Sequence, residues 1–450
     1  MKNQKLLIKN ALIITNSSDR VIEDGFILMK DGLMADIGSM KDCPKVPDAR
    51  ELDAKGCVVM PGLINPHMHL YSSFARGISV PRAKNFKEIL NKLWWRLDEE
   101  LTPDDIYLSA INGLIESLKS GVTTVIDHHA SYGFIKSSLD LIALAFVETG
   151  VRGILSFEVS DRHGGQSRDD ALIENLMFIE QSSGRNGVSK GGTLSGMLGL
   201  HACMTLSDET LYLARQIMDT FNIGTHVHVA EGIEDFKFNK KKYHLSPVGR
   251  LEKFDILRPK TLAVHCVHVD KRDITLLKKS GATIVHNPLS NQNNAVGIAP
   301  YLNFCKMEIP TLIGTDGMSA GIADDVKSAA FFHKLSMKDP QAGWNEVKDS
   351  VLKSAPKFAS EYLGVKLGVI DKGAAADVVL YDYYPNTPLT KENYWAHILF
   401  GIFSSRAKDV VVNGKLRLKD YKVVGFDEAQ IAKLSRQLAQ KFWKRFGGKL

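Results

Sequence analysis

The chain has 450 residues, of which 44% are hydrophobic and 24% are charged, as in an ordinary soluble globular protein. This length can hold a large barrel together with a smaller module. The formal net charge is only +6, and we interpret the densest basic cluster, Lys240 to Lys242, as a solvated loop. We therefore expect no nucleic-acid partner.

Cysteine usage and the N-terminal segment bear on where the protein acts. The five cysteines are scattered and form no Cys-x-x-Cys pair, which argues against a disulfide framework or a zinc ribbon and favours a reducing compartment. The start "MKNQKLLIKNALIIT" is interrupted by Lys9 and Asn10, and it fits neither a signal peptide nor a membrane span. We expect a cytoplasmic protein without a membrane partner.

The two ends of the chain are rich in strand signals. "KLLIKNALIIT", "GFILMKDGLMADIGS" and "GCVVMPG" near the start read as strands, with a hairpin turn at Asp31-Gly32. "GVIDKGAAADVVLYD" and "KDVVVNGKLRL" follow after residue 360, with a second turn at Asn413-Gly414. We predict a composite β-sandwich domain from residues 1–59 and 361–425, followed by a C-terminal amphipathic helix within 426–450.

Residues 60–360 alternate between apolar strands and amphipathic helices. Helix-like segments such as "DDIYLSAINGLIESLKS" and "DETLYLARQIMDTFN" separate eight candidate strands, which are "GLINPH", "GVTTVIDHH", "RGILSFEV", "LSGMLGLHA", "GTHVHVAE", "TLAVHCVHV", "GATIVHNP" and "PTLIGTDG". Eight such units predict an α/β fold of the (β/α)8 TIM-barrel type.

The stretch "PGLINPHMHL" places two histidines on the first barrel strand. Side chains alternate along a strand, so His67 and His69 share one face, and burying two imidazoles there calls for a partner such as a metal ion. Further candidate strands end in ionisable residues, namely His201, His226, His228, His265 and Asp316, with Glu231 just beyond His228. The C-terminal ends of barrel strands converge on one mouth, so these groups should meet there.

Three histidines and an aspartate make a suitable ligand set for zinc or ferrous iron. Such a metal lowers the pKa of its bound water from 15.7 towards about 7 and so supplies a nucleophile at neutral pH. Glu231 lies near enough to His228 in sequence to move protons in the same cavity without being a ligand.

The ordered motifs "MPGLINPHMH", "GVTTVIDH", "GLHACMT", "HVHVAE", "AVHCVH", "HNPLSN", "GTDG" and "GVIDKGAAADVVLYD" resemble the amidohydrolase superfamily over nearly the whole chain. The resemblance is to the branch of cytosine, guanine and adenosine-type deaminases and chlorohydrolases. "NPHMHLYSSFARG", "DHHAS" and "EVSDR" are most similar to its SsnA putative aminohydrolase subgroup.

The resemblance implies a role for each matching residue. It makes His67, His69, His228 and Asp316 the metal ligands. Glu231 becomes the proton shuttle to a substrate ring nitrogen, His265 orients or polarises the attacking water species, and Asp316 accepts its proton. His201 would contact the substrate. It occupies the position at which two-metal members carry a carboxylated lysine, which implies a single divalent metal here. We expect zinc rather than iron. Relatives of this architecture commonly form dimers or larger homo-oligomers.

Several other residues keep a structural alternative. His268 competes with His265 for the role on the sixth strand, and Arg162 could meet an anionic substrate group or lie in a solvated loop. One tryptophan of the Trp94-Trp95 pair is expected in the core and the other, assigned here to Trp94, over the pocket. The remaining histidines are interpreted as structural: His226 in the barrel interior, His128 and His129 capping a strand with substrate contact as the alternative, and His163, His244, His333 and His397 on the surface or in loops.

These residues predict hydrolytic deamination of an amino-substituted purine, pyrimidine or pterin-like ring, a small-molecule substrate. One alternative is the hydrolytic displacement of chloride or another leaving group from a similar ring. A second alternative is a non-catalytic metal-binding scaffold. A nucleic-acid-editing deaminase would need Pro-Cys-x-x-Cys after His-x-Glu, and this chain has no such cysteine pair.

Overall fold

The computed structural model describes residues 5–17, 21–184 and 186–447. In the N-terminal segment these residues form β1 (Lys5–Ile14), β2 (Val21–Lys30), β3 (Leu33–Ser39), β4 (Arg50–Asp53) and β5 (Val58–Pro61). The predicted hairpin turn joins β2 to β3, and Asp31 and Gly32 both have positive φ, at 51° and 83°. Aspartate and glycine tolerate that left-handed conformation better than most residues.

The central strands form a parallel sheet that almost closes on itself. They are β6 (Leu63–Met68), β7 (Val122–His129), β8 (Arg152–Val159), β9 (Leu194–Gly196), β10 (Leu198–Ala202), β11 (Thr225–Val229), β12 (Leu262–His265), β13 (Thr283–His286) and β14 (Thr311–Ile313). The hydrogen-bonded order runs β14-β13-β12-β11-β10-β8-β7-β6, with β9 beside β8. An isolated parallel bridge between Met68 and Asp316 brings the two edges together. The predicted (β/α)8 barrel is confirmed.

The C-terminal strands are β15 (Val378–Tyr381), β16 (Ala407–Val412), β17 (Lys415–Lys419) and β18 (Lys422–Val423). Antiparallel pairing of β5 with β15 unites them with the N-terminal strands in one nine-stranded sheet of described residues. Val378 and Leu380 face the sheet's own small core, whereas Val379 and Tyr381 pack on the barrel core. The predicted union of the two chain ends is confirmed, and the exact domain boundaries stay predictions.

The described helices surround the barrel or follow it. They are α1 (Phe86–Ile89), α2 (Trp95–Glu100), α3 (Pro103–Lys119), α4 (Ser138–Thr149), α5 (Gly165–Ser182), α6 (Asp208–Phe221), α7 (Ile233–Tyr243), α8 (Pro247–Lys253), α9 (Lys271–Ser280), α10 (Pro288–Asn293), α11 (Tyr301–Lys306), α12 (Ala323–Met337), α13 (Trp344–Asp349), α14 (Ala355–Leu363), α15 (Tyr394–Phe400) and α16 (Glu428–Gly447). The predicted closing helix is α16, and residues 448–450 of its predicted range lie outside the described residues. None of the helices in the described ranges combines the length and apolarity needed to cross a membrane.

Three local interpretations change with the structure. Lys240 to Lys242 are exposed, as expected, but they belong to the last turns of α7 rather than to a loop. His333 and His397 were expected on the surface or in loops, and this is wrong, because both are buried on helices α12 and α15. All five cysteines are free thiols, as predicted.

Candidate active site

The first barrel strand carries its two histidines into the mouth on a buried frame. Every residue of β6 is buried. Asn65 of this strand donates a 2.8 Å hydrogen bond to the Thr315 hydroxyl after β14. Beyond the strand, the Leu70 amide donates to Asp127 Oδ1 at 2.8 Å. These bonds hold His67 and His69 between two neighbouring strand ends.

Four predicted metal ligands meet at the C-terminal mouth of the barrel. One ring nitrogen from each of His67, His69 and His228 lies within 4.8 Å of the others. Asp316 Oδ1 is 3.0 Å from His69 Nε2 and 3.6 Å from His67 Nε2. Residues at the C-terminal ends of β6, β11 and β14 therefore converge, as expected for a (β/α)8 barrel.

The far nitrogen of each of these histidines is held by a neighbour. His69 Nδ1 lies 2.6 Å from the His128 carbonyl oxygen, and His228 Nδ1 lies 3.2 Å from the His201 carbonyl oxygen. An Nδ1–H that donates to a carbonyl leaves the Nε2 lone pair free to bind a metal. His67 Nδ1 instead lies 2.8 Å from Nε2 of His226, the histidine expected in the barrel interior.

The donor atoms present fit a divalent metal ion. His67 Nε2 and His265 Nε2 are buried and have no hydrogen-bond partner among the described residues. A buried nitrogen without a partner is costly, and a cation at His67 Nε2 would remove that cost. Imidazole nitrogens with one carboxylate are ligands that zinc and iron accept. We predict that Asp316 supplies the carboxylate of this ligand set.

Asp316 is kept as a carboxylate by the cationic or hydrogen-bonding groups around it. Burial alone would raise its pKa, but the His67 and His69 imidazoles beside it bring the pKa well below its usual value. The Ser290 hydroxyl donates a hydrogen bond to the second oxygen, Oδ2. An ionised carboxylate at this position can accept a proton or bind a cation.

Glu231, the predicted proton shuttle, and His265, predicted to orient the attacking water, lie next to each other beside this cluster. Glu231 Oε2 lies 3.4 Å from His265 Nε2, which in turn lies 3.7 Å from Asp316 Oδ2. His265 Nδ1 is 2.9 Å from the Asn291 side-chain oxygen, so its ring orientation is fixed. Burial and the nearby Asp316 charge raise the pKa of Glu231 well above its usual value. A carboxyl group in this state can donate a proton.

The strand ends around the site have unusual backbone conformations. Ala230, His265, Cys266 and Asp316 all have positive φ, between 49° and 71°. These values are uncommon for residues other than glycine and cluster at functional sites in proteins. The turns redirect the chain at the ends of β11, β12 and β14, where the polar side chains reach the mouth.

A pocket opens directly above these groups. Its lining includes the predicted residues His69, Trp94, His201, His228, Glu231 and Asp316. Trp95 also lines it, with its ring centroid 5.9 Å from that of His201. Both tryptophans are thus half-buried over the pocket, and neither lies fully in the core. Neither His265 nor His268 is among its described lining residues, but His265 Nε2 lies 3.4 Å from Glu231 Oε2, which makes His265 the strand-six histidine next to the site.

Arg162 is placed differently from the other predicted substrate residues. It is absent from the described lining of the pocket. Its guanidinium lies 2.7 Å from Asp98 and 3.4 Å from Glu158, between the rings of Trp95 and Tyr132. Its charge is therefore already matched by two carboxylates, and a role with an anionic substrate stays a prediction.

Sequence reasoning did not select several residues that shape the site. Glu158 is the next-to-last residue of strand β8 and lines the pocket, so the strand-end rule used for the histidines could have found it. Ser290 and Asn291 lie in the motif "HNPLSN", but their contacts to Asp316 and His265 need the folded helix α10. His128 and His129 are fully buried in β7, and His128 Nε2 contacts the carbonyl oxygens of Leu200 and His226.

Known proteins resemble this chain over almost all of its length. A model of the amidohydrolase family matches residues 58–417. A 5'-deoxyadenosine deaminase of Methanopyrus kandleri is 30% identical over 447 residues, which are 97% of this chain and 99% of the relative. The fold is shared with an adenosine deaminase from Xanthomonas campestris with bound zinc, at TM-score 0.83, 21% identity and 98% coverage of both chains. It is also shared with atrazine chlorohydrolase TrzN from Arthrobacter aurescens complexed with zinc, at TM-score 0.82, 23% identity and coverage of 96% and 100%.

The barrel and the cluster of histidines and carboxylates at its mouth define a metal-dependent hydrolase. The chain belongs to the amidohydrolase family. It is an enzyme of the class that hydrolyses carbon–nitrogen bonds, which agrees with the deaminase branch indicated by the sequence motifs.

Proposed function

We propose that this chain is a zinc-dependent aminohydrolase that replaces the amino group of a heterocycle with oxygen and releases ammonia. The observation that carries the proposal is the pair Glu231 and His265, whose side chains lie 3.4 Å apart beside Asp316 and the histidine cluster. In this arrangement a proton donor, a proton acceptor and the proposed metal site would lie around one pocket.

The metal would be held by His67, His69, His228 and Asp316. When bound, a divalent ion lowers the pKa of a coordinated water from 15.7 towards about 7. Three imidazoles and one carboxylate suit both zinc and iron, and we propose zinc because both named structural neighbours contain zinc. We propose a single ion, as the family resemblance implies from His201 at the position of the carboxylated lysine.

The protein side chains then move protons and orient the reactants. Glu231 protonates the ring nitrogen next to the amino-bearing carbon, which makes that carbon electrophilic. Asp316 accepts a proton from the attacking water, and His265 holds that water in line. Asp316 passes its proton to the departing amine, and Glu231 recovers a proton from the hydroxyl added to the ring carbon. One water and one aminated ring thus give one oxo ring and one ammonia.

The substrate is a small aminated ring of the purine, pyrimidine or pterin type. The first relative is named a 5'-deoxyadenosine deaminase, which supports a purine. The motifs similar to the SsnA subgroup do not select one of these three ring types. His201 and Trp94 would contact it, and Arg162 would act through the carboxylates that it binds. We further propose a cytoplasmic homo-oligomer.

Ammonia release from a panel of aminated heterocycles tests this proposal. Purified protein loaded with zinc should release ammonia from at least one ring, and protein treated with a chelator should lose that activity. A panel without any ammonia release, from a folded and zinc-loaded sample, would contradict aminohydrolase activity.

Hydrolysis of a carbon–chlorine bond is the second candidate. The same fold serves the atrazine chlorohydrolase, and its reaction also replaces a ring substituent with oxygen from water. Chloride release from halogenated triazines without ammonia release from aminated rings would favour this candidate over deamination.

A further inference from the structure

Glu158 is a pocket carboxylate that the proposed proton transfers do not use. It is the next-to-last residue of strand β8, its side chain is 5% exposed, and it lines the same pocket as Glu231. One of its oxygens lies within 4.8 Å of a ring nitrogen from each of His128 and His228. Because His228 is a predicted metal ligand, a group bound by Glu158 lies near the reacting carbon.

The Glu158 carboxylate receives few hydrogen bonds from the protein. Within the described chain, its single side-chain hydrogen bond comes from Arg162 Nη2 at 3.4 Å, while the same nitrogen lies at 2.7 Å from Asp98. His128 Nδ1 is 3.7 Å from Glu158 Oε2, too far for a hydrogen bond. Burial raises the pKa of Glu158 and the Arg162 charge opposes that rise. A buried acceptor with one long bond calls for a donor from a ligand.

His201 presents a second acceptor next to Glu158. We assign the Thr205 hydroxyl proton to the Ala202 carbonyl at 3.0 Å, and in this assignment His201 Nδ1–H donates to the hydroxyl at 2.5 Å. This tautomer leaves a lone pair on His201 Nε2, which lies 4.0 Å from Glu158 Oε1. Two acceptors therefore stand side by side on one wall of the pocket.

We propose that Glu158, with His201, binds an N–H edge of the substrate ring. The enzyme then acts on rings that carry a ring N–H or a second N–H beside the reacting carbon, such as amino-oxo purines, pterins and pyrimidinones. This inference rests on the proposed deamination. A carboxylate pairs well with two adjacent N–H donors. The ring of adenosine offers only acceptors at N1, N3 and N7, and these would face the two acceptors of this wall.

The pocket lining lacks a basic side chain that would bind an anionic substrate. Five carboxyl side chains line it, those of Asp98, Glu158, Glu231, Asp235 and Asp316, and no lysine or arginine does so among its described residues. A phosphorylated nucleotide would find no cationic side chain there to pair with its phosphate, whereas a neutral ring with N–H donors needs none.

Replacement of Glu158 by glutamine tests the contact. The amide keeps the size of the side chain, loses its charge and can present a donor to an acceptor ring. We would measure kcat and KM of wild type and E158Q with guanine, cytosine and pterin, which have ring N–H groups, and with adenosine and 5'-deoxyadenosine, which have none on the ring. The exposed Glu252 on α8 supplies the control variant E252Q.

We expect the wild type to prefer an N–H ring and E158Q to lose about 10-fold or more in kcat/KM for it, mainly through KM. The kcat/KM for the adenosine type should be kept or should rise, because the amide can donate to an acceptor ring, and E252Q should match wild type. An equal loss for both types would mean a structural role, and a wild type that prefers adenosine would also overturn the inference.

Failure of the proposed function gives a different result. If no ring yields ammonia, deamination itself is wrong, and ligand-induced thermal shifts of wild type and E158Q with guanine and adenosine still test the contact. A guanine shift that E158Q does not reduce would overturn it, and a guanine shift confined to the wild type would support it.

Discussion

At the scale of single residues, the proposed chemistry depends on one carboxyl group that donates a proton. Glu231 lies beside His265 and is not among the four predicted metal ligands. We predict that Glu231→Gln binds metal normally and loses about 10²-fold or more in kcat, because an acid–base group is removed without a ligand. Steady-state kinetics with metal analysis on the same sample checks this. Unchanged kcat at full metal content would remove Glu231 from the mechanism.

His226 affects the metal site through its contact with His67. The 2.8 Å contact between His67 Nδ1 and His226 Nε2 holds the ring that would bind metal through Nε2. We predict that His226→Ala lowers metal affinity by about 10- to 100-fold, the usual effect of losing the partner of a ligating histidine. Competition with a chelator measures it. His129→Ala, a buried histidine bonded to Ser131, is the matched control and should keep wild-type affinity.

At the scale of elements, strand ends account for what the sequence could predict. His67, His69, His228 and Asp316 lie at or just beyond the ends of apolar strands, and a barrel brings such ends together wherever they lie in the chain. Ser290 and Asn291 could not be assigned in this way, because α10 brings their side chains to Asp316 and His265 only after folding. Arg162 followed a strand and looked available, yet Asp98 from the distant α2 segment pairs with it.

His333 shows a second limit of the sequence. No motif surrounds it, but helix α12 packs it against β13 and α11, with His333 Nε2 3.2 Å from His286 Nε2 and its ring stacked on Tyr301. Helical periodicity alone does not mark a histidine as buried when its partners come from other elements. Burial lowers the pKa of His333 to about 4.

This burial predicts a pH dependence of stability. Unfolded His333 takes up a proton below about pH 6.5, whereas the folded ring stays neutral down to about pH 4. Its stabilising contribution is therefore present above pH 6.5 and is lost as the pH falls to about 4, by up to about 3 kcal/mol. His333→Gln should flatten the fall in unfolding free energy over that range. Equal slopes for variant and wild type in denaturant titrations would contradict the assignment.

At the scale of the whole molecule, a buried ion pair connects the sheet formed by the two chain ends to the barrel. Arg152 at the start of β8 contacts Asp377 just before β15 through two bonds of 2.6 and 2.9 Å, and both side chains are almost fully buried. We predict that Asp377→Ala lowers the free energy of unfolding by about 3–5 kcal/mol, because it leaves a buried guanidinium unpaired. Denaturant unfolding measures this change.

A solvent-exposed pair gives the control for that measurement. Arg76 and Glu116 also form two hydrogen bonds, at 2.8 and 2.9 Å, but both side chains are exposed. Glu116→Ala should cost about 1 kcal/mol or less. Equal losses for the two variants would mean that the Arg152 pair does not couple the sheet to the barrel.

The central claim is that the barrel mouth binds one catalytic divalent metal, and metal analysis of the purified protein tests it most directly. We predict about one zinc ion per chain in the wild type and a clear loss in the folded variant Asp316→Ala. A folded wild-type protein that binds no divalent metal, or an Asp316→Ala variant with full metal content, would contradict the account.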